Sequence, residues 1–128
     1  MKGTVYRYKT DVGLYKNSMF TLDIDSQPLG NFNSVSLQAL QFILYTNPAK
    51  IYLVGIDCTT AGHFGNHDTL QEYKSNLQKR GANISKWARN TTIAWEQAKD
   101  YISQYYPDTQ IISVNPVGLK GLFTDLVQ

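Results

Sequence analysis

The run Ile51-Tyr52-Leu53-Val54-Gly55-Ile56 is unbroken by any charged or strongly polar residue, and it stands between a helix-stopping Asn47-Pro48 and Asp57. A run of this kind suits a parallel strand covered on both faces. Helical patterns flank it. Upstream, Asn33 or Ser34 caps a predicted helix reaching about Thr46, with Val35, Leu37, Ala39, Leu40, Phe42, Ile43 and Leu44 apolar on most sides. Such a helix is expected to be largely buried. Downstream, Thr91, Ala94, Trp95, Ala98, Tyr101, Ile102 and Tyr105 recur at the helical interval within 87–105, and Pro107 ends the pattern. Gln110–Val114 then reads as a second strand, parallel to 51–56 and next to it, with Trp95 buried between helix and sheet.

The remaining segments fit around this pair. Thr4 to Lys9 and Met19 to Ile24 read as strands, joined by a turn at Asp11 to Gly13 into a possible antiparallel hairpin. Ser26 to Asn33 is a loop, Thr59 to Asp68 a polar loop, Thr69 to Arg80 a modest helix, and Leu119 to Leu126 a short helix. The order helix, strand, helix, strand, helix predicts one α/β domain over residues 1–128, its mainly parallel sheet carrying helices on both faces.

Composition narrows the functional classes. A hydrophobic fraction of 42% with 17% charged residues is that of a globular chain. The net charge of +2 and the absence of any basic run beyond Lys79-Arg80 point away from nucleic acid and membrane surfaces. No stretch approaches the length of a membrane span, and the N-terminus lacks the apolar core of a signal peptide. The single cysteine, Cys58, fits a reducing compartment, so the cytoplasm is the expected location.

In parallel sheets ligands bind beyond the carboxyl ends of the strands. Polar residues fall there at Asp25-Ser26, at Asp57 to His63 and at Asn115, while Asn33-Ser34 opens a buried helix whose N-terminus favours an anion. The plainer alternative is that Asn33 and Ser34 only cap the helix and Asp57 only ties down a turn. His63 and His67 are spaced as on one face of a helix, yet Gly65 lies between them and Phe64 replaces the glutamate of the usual zinc pattern, so no metal is expected. Cys58 has no evident activating base and reads as a structural thiol rather than a nucleophile. Trp87 could face a site. There is no glycine-rich phosphate loop.

Taken together, Ser34-Val35 opening the helix, Lys50 through Gly55-Ile56-Asp57, the long polar loop, the long helix, and Ile112 through Asn115-Pro116 to Phe123 resemble a bacterial glycosyltransferase group. That group includes lipooligosaccharide sialyltransferases and motility-accessory-type flagellin glycosyltransferases. The resemblance covers roughly residues 33–123 and implies a Rossmann-like domain binding a nucleotide-activated sugar, such as a CMP-linked sialic acid. It implies that Asn33 and Ser34 contact the donor, that Asp57 to Thr60 lie at its sugar and phosphate, with the Thr59 and Thr60 hydroxyls assisting the leaving phosphate, and that 61–90 closes over the substrates. The group begins with a strand and a glycine-rich donor loop that have no counterpart here, so the chain resembles the second half of such a domain. The group's sialyltransferases carry a base histidine just before the long helix. Residues 82–90 hold none, and Lys86 and Trp87 stand in its place.

The expected function is therefore a glycosyltransferase-like domain in cell-surface polysaccharide, lipooligosaccharide or glycoprotein assembly. It would take a nucleotide-sugar donor and a glycan acceptor and need no cofactor. Gly55, Asp57, Asn115, Asn33 and Ser34 are the substrate-binding candidates; Thr59, Thr60, His63 and His67 are the catalytic ones, either histidine as base. A non-catalytic module of the same fold is the alternative, and a metal-dependent hydrolase on Asp57, His63 and His67 a weaker one. A half-domain leaves an open sheet edge, so a homo-oligomer is expected.

Overall fold

The computed structural model describes residues 3–11, 18–58, 75 and 84–128. They form α1 (Val35–Tyr45), β1 (Lys50–Val54), α2 (Ile84–Tyr105), β2 (Gln110–Val114) and β3 (Thr124–Leu126). The strands make one parallel sheet in the order β1-β2-β3, so the described architecture is mixed α/β. β1 and β2 are the parallel neighbours that the sequence predicts, in register from Lys50↔Gln110 to Val54↔Val114. β1 ends two residues before the apolar run does, because Gly55 turns to φ +71.

Partners across this ladder point to the same side, and side chains alternate along each strand. Ile51, Leu53, Ile111 and Ser113 therefore share one face, and Tyr52, Val54, Ile112 and Val114 share the other. Ile51, Leu53 and Ile111 join the core with Leu37, Leu40 and Leu44 of α1 and with Ala94, Trp95, Ala98 and Ile102 of α2. On the opposite face Tyr52 is 54% and Val54 69% exposed. Helices on both faces, as the sequence suggested, are thus not found among the described residues. Burial in β1 alternates instead, and Tyr52 brings a polar tip that water can solvate.

α1 is also less buried than its composition suggested. Leu37, Leu40, Gln41 and Leu44 form a single stripe, while Val35, Phe42, Ile43 and Tyr45 are exposed. Ser34 starts the helix from an extended conformation, its Oγ accepting the Leu37 N–H. Thr46 ends it by donating both its N–H and its hydroxyl to the Ile43 carbonyl, and Pro48 follows. α2 starts at Ile84, slightly ahead of the predicted stripe. Next to Pro107, Thr109 donates its hydroxyl to the Pro48 carbonyl at 2.6 Å, tying the starts of β1 and β2 together.

The N-terminal hairpin is not formed. Neither 4–9 nor 19–24 is a strand, and Val12 and Gly13 of the expected turn lie outside the described residues. Among the described residues the arm makes one β-bridge, Thr10 with Leu29, where Asp11 N–H donates to Leu29 O and Leu29 N–H to Lys9 O. Side chains take the place of a ladder. The Asp11 carboxylate accepts from Ser18 Oγ and from the Met19 and Asn31 amides, and Ser18 Oγ accepts the Phe32 N–H. Buried Gln41 accepts the N–H groups of Gly30 at 2.8 Å and Thr21 at 3.3 Å, and donates to the carbonyls of Gly30 and Leu37. Side chains that satisfy the backbone locally remove the need for strand pairing.

Leu119 to Leu126 is not a helix either. Gly121 takes φ +80, its N–H donates to Asp125 Oδ2, and Thr124 enters β3 opposite Ile112. A glycine in the left-handed region stops the helix, and a β-branched residue then continues extended. Of the expected helix 69–80 only Ser75 is described, and it is helical. No helix among the described residues is long and apolar enough to cross a membrane.

Trp95 is 1% exposed at the centre of the helix–sheet interface. Trp95→Ala is expected to cost about 3–5 kcal/mol. Gln41→Leu keeps the bulk but strands the amides of Thr21 and Gly30, at about 1–3 kcal/mol for each buried group. Urea unfolding checks both; a loss under about 1 kcal/mol for either would remove that residue from this account.

Candidate functional site

Both β1 and β2 run into irregular backbone at their carboxyl ends. β1 leaves through Gly55, Ile56, Asp57 and Cys58, where Gly55 has φ +71 and Cys58 φ +48. β2 leaves through Asn115, at φ +47, and Pro116. α1 feeds β1 through a short turn, so its N-terminus lies at this same end, where Phe32 and Asn33 have φ 49 and 50. Glycine and asparagine tolerate this backbone, whereas it is uncommon for Cys58 and Phe32 and must be held by their surroundings.

α2 reaches further. At 22 residues it is about 33 Å long, against about 17 Å for a five-residue strand. Its C-terminus connects closely to β2, so its first turns extend past the strand ends and carry exposed Lys86 and Arg89. Neither helix has an acid in its first turn. Two helix N-termini without first-turn acids, followed by exposed Lys86 and Arg89, thus belong to the end of the sheet where the strands exit, and a helix N-terminus favours an anion.

Asp57 and Cys58 meet Gly118, beyond β2. The Gly118 N–H donates to the Asp57 carbonyl at 2.8 Å, and a Cβ on Gly118 would overlap the Cys58 carbonyl oxygen. Nothing in the sequence singled out Gly118 or Arg89; a glycine required by close approach looks like any loop glycine, and a lone arginine like any surface charge. Asn115 is partly committed. Its N–H donates to Leu126 O and its Oδ1 accepts the Gln128 N–H, which leaves its Nδ2 donors on the exposed surface. Ser34 Oγ accepts the Leu37 amide and bonds Ser36 Oγ, so its observed role is the helix cap. Asn33, exposed, has its amide held by Asn31 Oδ1. Gly55 is exposed where β1 ends.

Thr59, Thr60, His63 and His67 lie outside the described residues, as does the side chain of Trp87. Among the described residues no three His, Cys, Asp or Glu come together as a metal site.

Cys58 behaves as a structural thiol. Burial, with a smaller contribution from the Asp57 carboxylate, pushes its pKa up to about 11, so it stays protonated and a poor nucleophile. Elsewhere, a cavity of about 240 Å³ lies between residues 18–22 and the C-terminal half of α2, lined by Phe20, Phe32, Gln97, Tyr101 and Tyr105 among others. Phe20 stacks on Tyr101 at 4.9 Å, and the Tyr101 hydroxyl donates to Thr21 O at 2.6 Å. Among the described residues no charged side chain lines it.

Compared with protein-family models, with curated proteins and with solved structures, the chain matches none.

The Cys58 shift has a pH consequence. The unfolded thiol ionises near 9.0, whereas the folded one keeps its proton to about 11. Its contribution is full below the lower value and is lost as pH rises through that window. Tyr101, pushed up first by burial, acts in the same direction at higher pH. The urea midpoint should therefore fall between about pH 8 and about pH 10.5, and fall less in Cys58→Ala. Equal drops in the two proteins would contradict the shift.

Proposed function

We propose that the chain is a glycosyltransferase-like domain that holds a nucleotide-activated sugar over the carboxyl ends of β1 and β2 for transfer to a cell-surface glycan acceptor. The observation that carries this is the exit end of the sheet: left-handed backbone at Gly55, Cys58 and Asn115 where β1 and β2 end, beside the N-termini of two helices that lack first-turn acids and, on α2, carry exposed Lys86 and Arg89. Its electrostatics suit a diphosphate or phosphodiester, and the resemblance supplies the sugar. In this proposal the Cys58 and Gly55 backbone and Asn115 Nδ2 contact the donor, Lys86 and Arg89 balance its phosphate, and the Thr59 and Thr60 hydroxyls donate hydrogen bonds to the leaving phosphate. His63 or His67 takes the acceptor proton.

A non-catalytic binding module is the second reading. It is favoured by Cys58, whose shift is away from reactivity at the exit of β1. Self-association belongs to either reading, since the outer edge of β1 carries no strand among the described residues.

Calorimetric titration with CMP, UDP and GDP tests the proposal. Binding of one of them, weakened by Arg89→Ala and by added salt, is the expected result. No binding of any of the three at millimolar concentration would reject it. Release of nucleotide from the matching sugar donor in the presence of an acceptor separates the transferase from the binding module.

A further inference from the structure

We infer that Gly118 is a positioning residue of the strand exits: only a glycine there lets the loop leaving β2 lie against the loop leaving β1. A Cβ on Gly118 would stand 2.4 Å from the Cys58 carbonyl oxygen and 2.6 Å from that of Asp57. Both obstacles are backbone, so no side-chain rotation relieves them and the loop itself must move. Gly118 is not needed for a left-handed backbone, which belongs to Gly55 and Gly121. Close approach is the remaining reason for a glycine.

The contact also fixes a direction. The Asp57 carbonyl is turned to the Gly118 N–H at 2.8 Å. Across that trans peptide plane the Cys58 N–H points the opposite way, out of the contact. Cys58 stays at φ +48 beside it, a conformation that surrounding contacts must hold in place. Gly118 therefore sets both the spacing between Asp57 and Asn115 and the outward aim of a backbone donor. What that donor meets rests on the nucleotide-sugar proposal; the clamp itself does not.

Two measurements on Gly118→Ala keep these apart. The first needs no ligand: the rate at which Cys58, the chain's single thiol, reacts with uncharged dithiodipyridine. Parting the loops exposes the half-buried sulfur, and the rate should rise about tenfold or more. The second is the affinity for CMP, UDP or GDP, whichever the wild type binds, which should fall about tenfold or more. Gly121→Ala is the control, because Gly121 has open space around it but φ +80, so alanine there strains the chain away from the clamp. It should lower the melting temperature while leaving thiol rate and affinity within about twofold. An unchanged Cys58 rate in Gly118→Ala overturns the inference, as does an equal rise in Gly121→Ala. A raised rate in Gly118→Ala, when the wild type binds none of the nucleotides, upholds the clamp and rejects the donor proposal instead.

Discussion

The parallel pairing of β1 with β2 is the constraint on which the rest depends. Because the strands run the same way, both exits open at one end of the sheet, and the chain must return along the sheet between them. α2 makes that return, burying Ala94, Trp95, Ala98 and Ile102 against Ile51, Leu53 and Ile111. The same polarity brings the N-termini of α1 and α2 to the end where Asp57, Cys58, Asn115 and Gly118 emerge. An antiparallel pair would have scattered these groups to opposite ends.

The N-terminal region is held by different means. Gln41 is an uncharged polar side chain within an apolar stripe, and it forms four hydrogen bonds with backbone groups of α1 and the 18–32 segment. Asp11 and Ser18 extend the same device toward Phe32. Phe32, held at a positive φ yet 1% exposed, anchors the entry to α1 in the core. The N-terminus of α1, at the exit end of the sheet, is thus placed by side chain to backbone bonds rather than by a sheet.

This division explains what could be read in the sequence. The apolar run 51–56 and the stripe through Trp95 report long-range burial directly, and the parallel pair, its register partner 110–114 and the buried Trp95 follow from them. Residues 4–9 and 19–24 have strand-like alternation too, but pattern alone does not show that Asp11 and Gln41 will satisfy the same backbone. At the C-terminus, Leu119 to Leu126 has helical content, and the outcome turned on Gly121 adopting φ +80. The exposure of Tyr52 and Val54 has no signature in the run, because a tyrosine and a valine continue an apolar stretch in a covered strand as readily as in an exposed one. At the strand ends, Gly55, Asp57 and Asn115 are legible as the residues that leave β1 and β2, Ser34 as a helix cap, and Gly118 and Arg89 carry no local signature.

The central claim is that ligand binding belongs to the carboxyl ends of β1 and β2, and amide chemical-shift mapping during titration with whichever of CMP, UDP and GDP binds tests it most directly. The account predicts shifts concentrated at Gly55 to Cys58, Asn115 to Gly118 and the first turns of α1 and α2. Shifts gathered instead around Phe20, Gln97 and Tyr101, or spread evenly over the exposed face of β1, would contradict it.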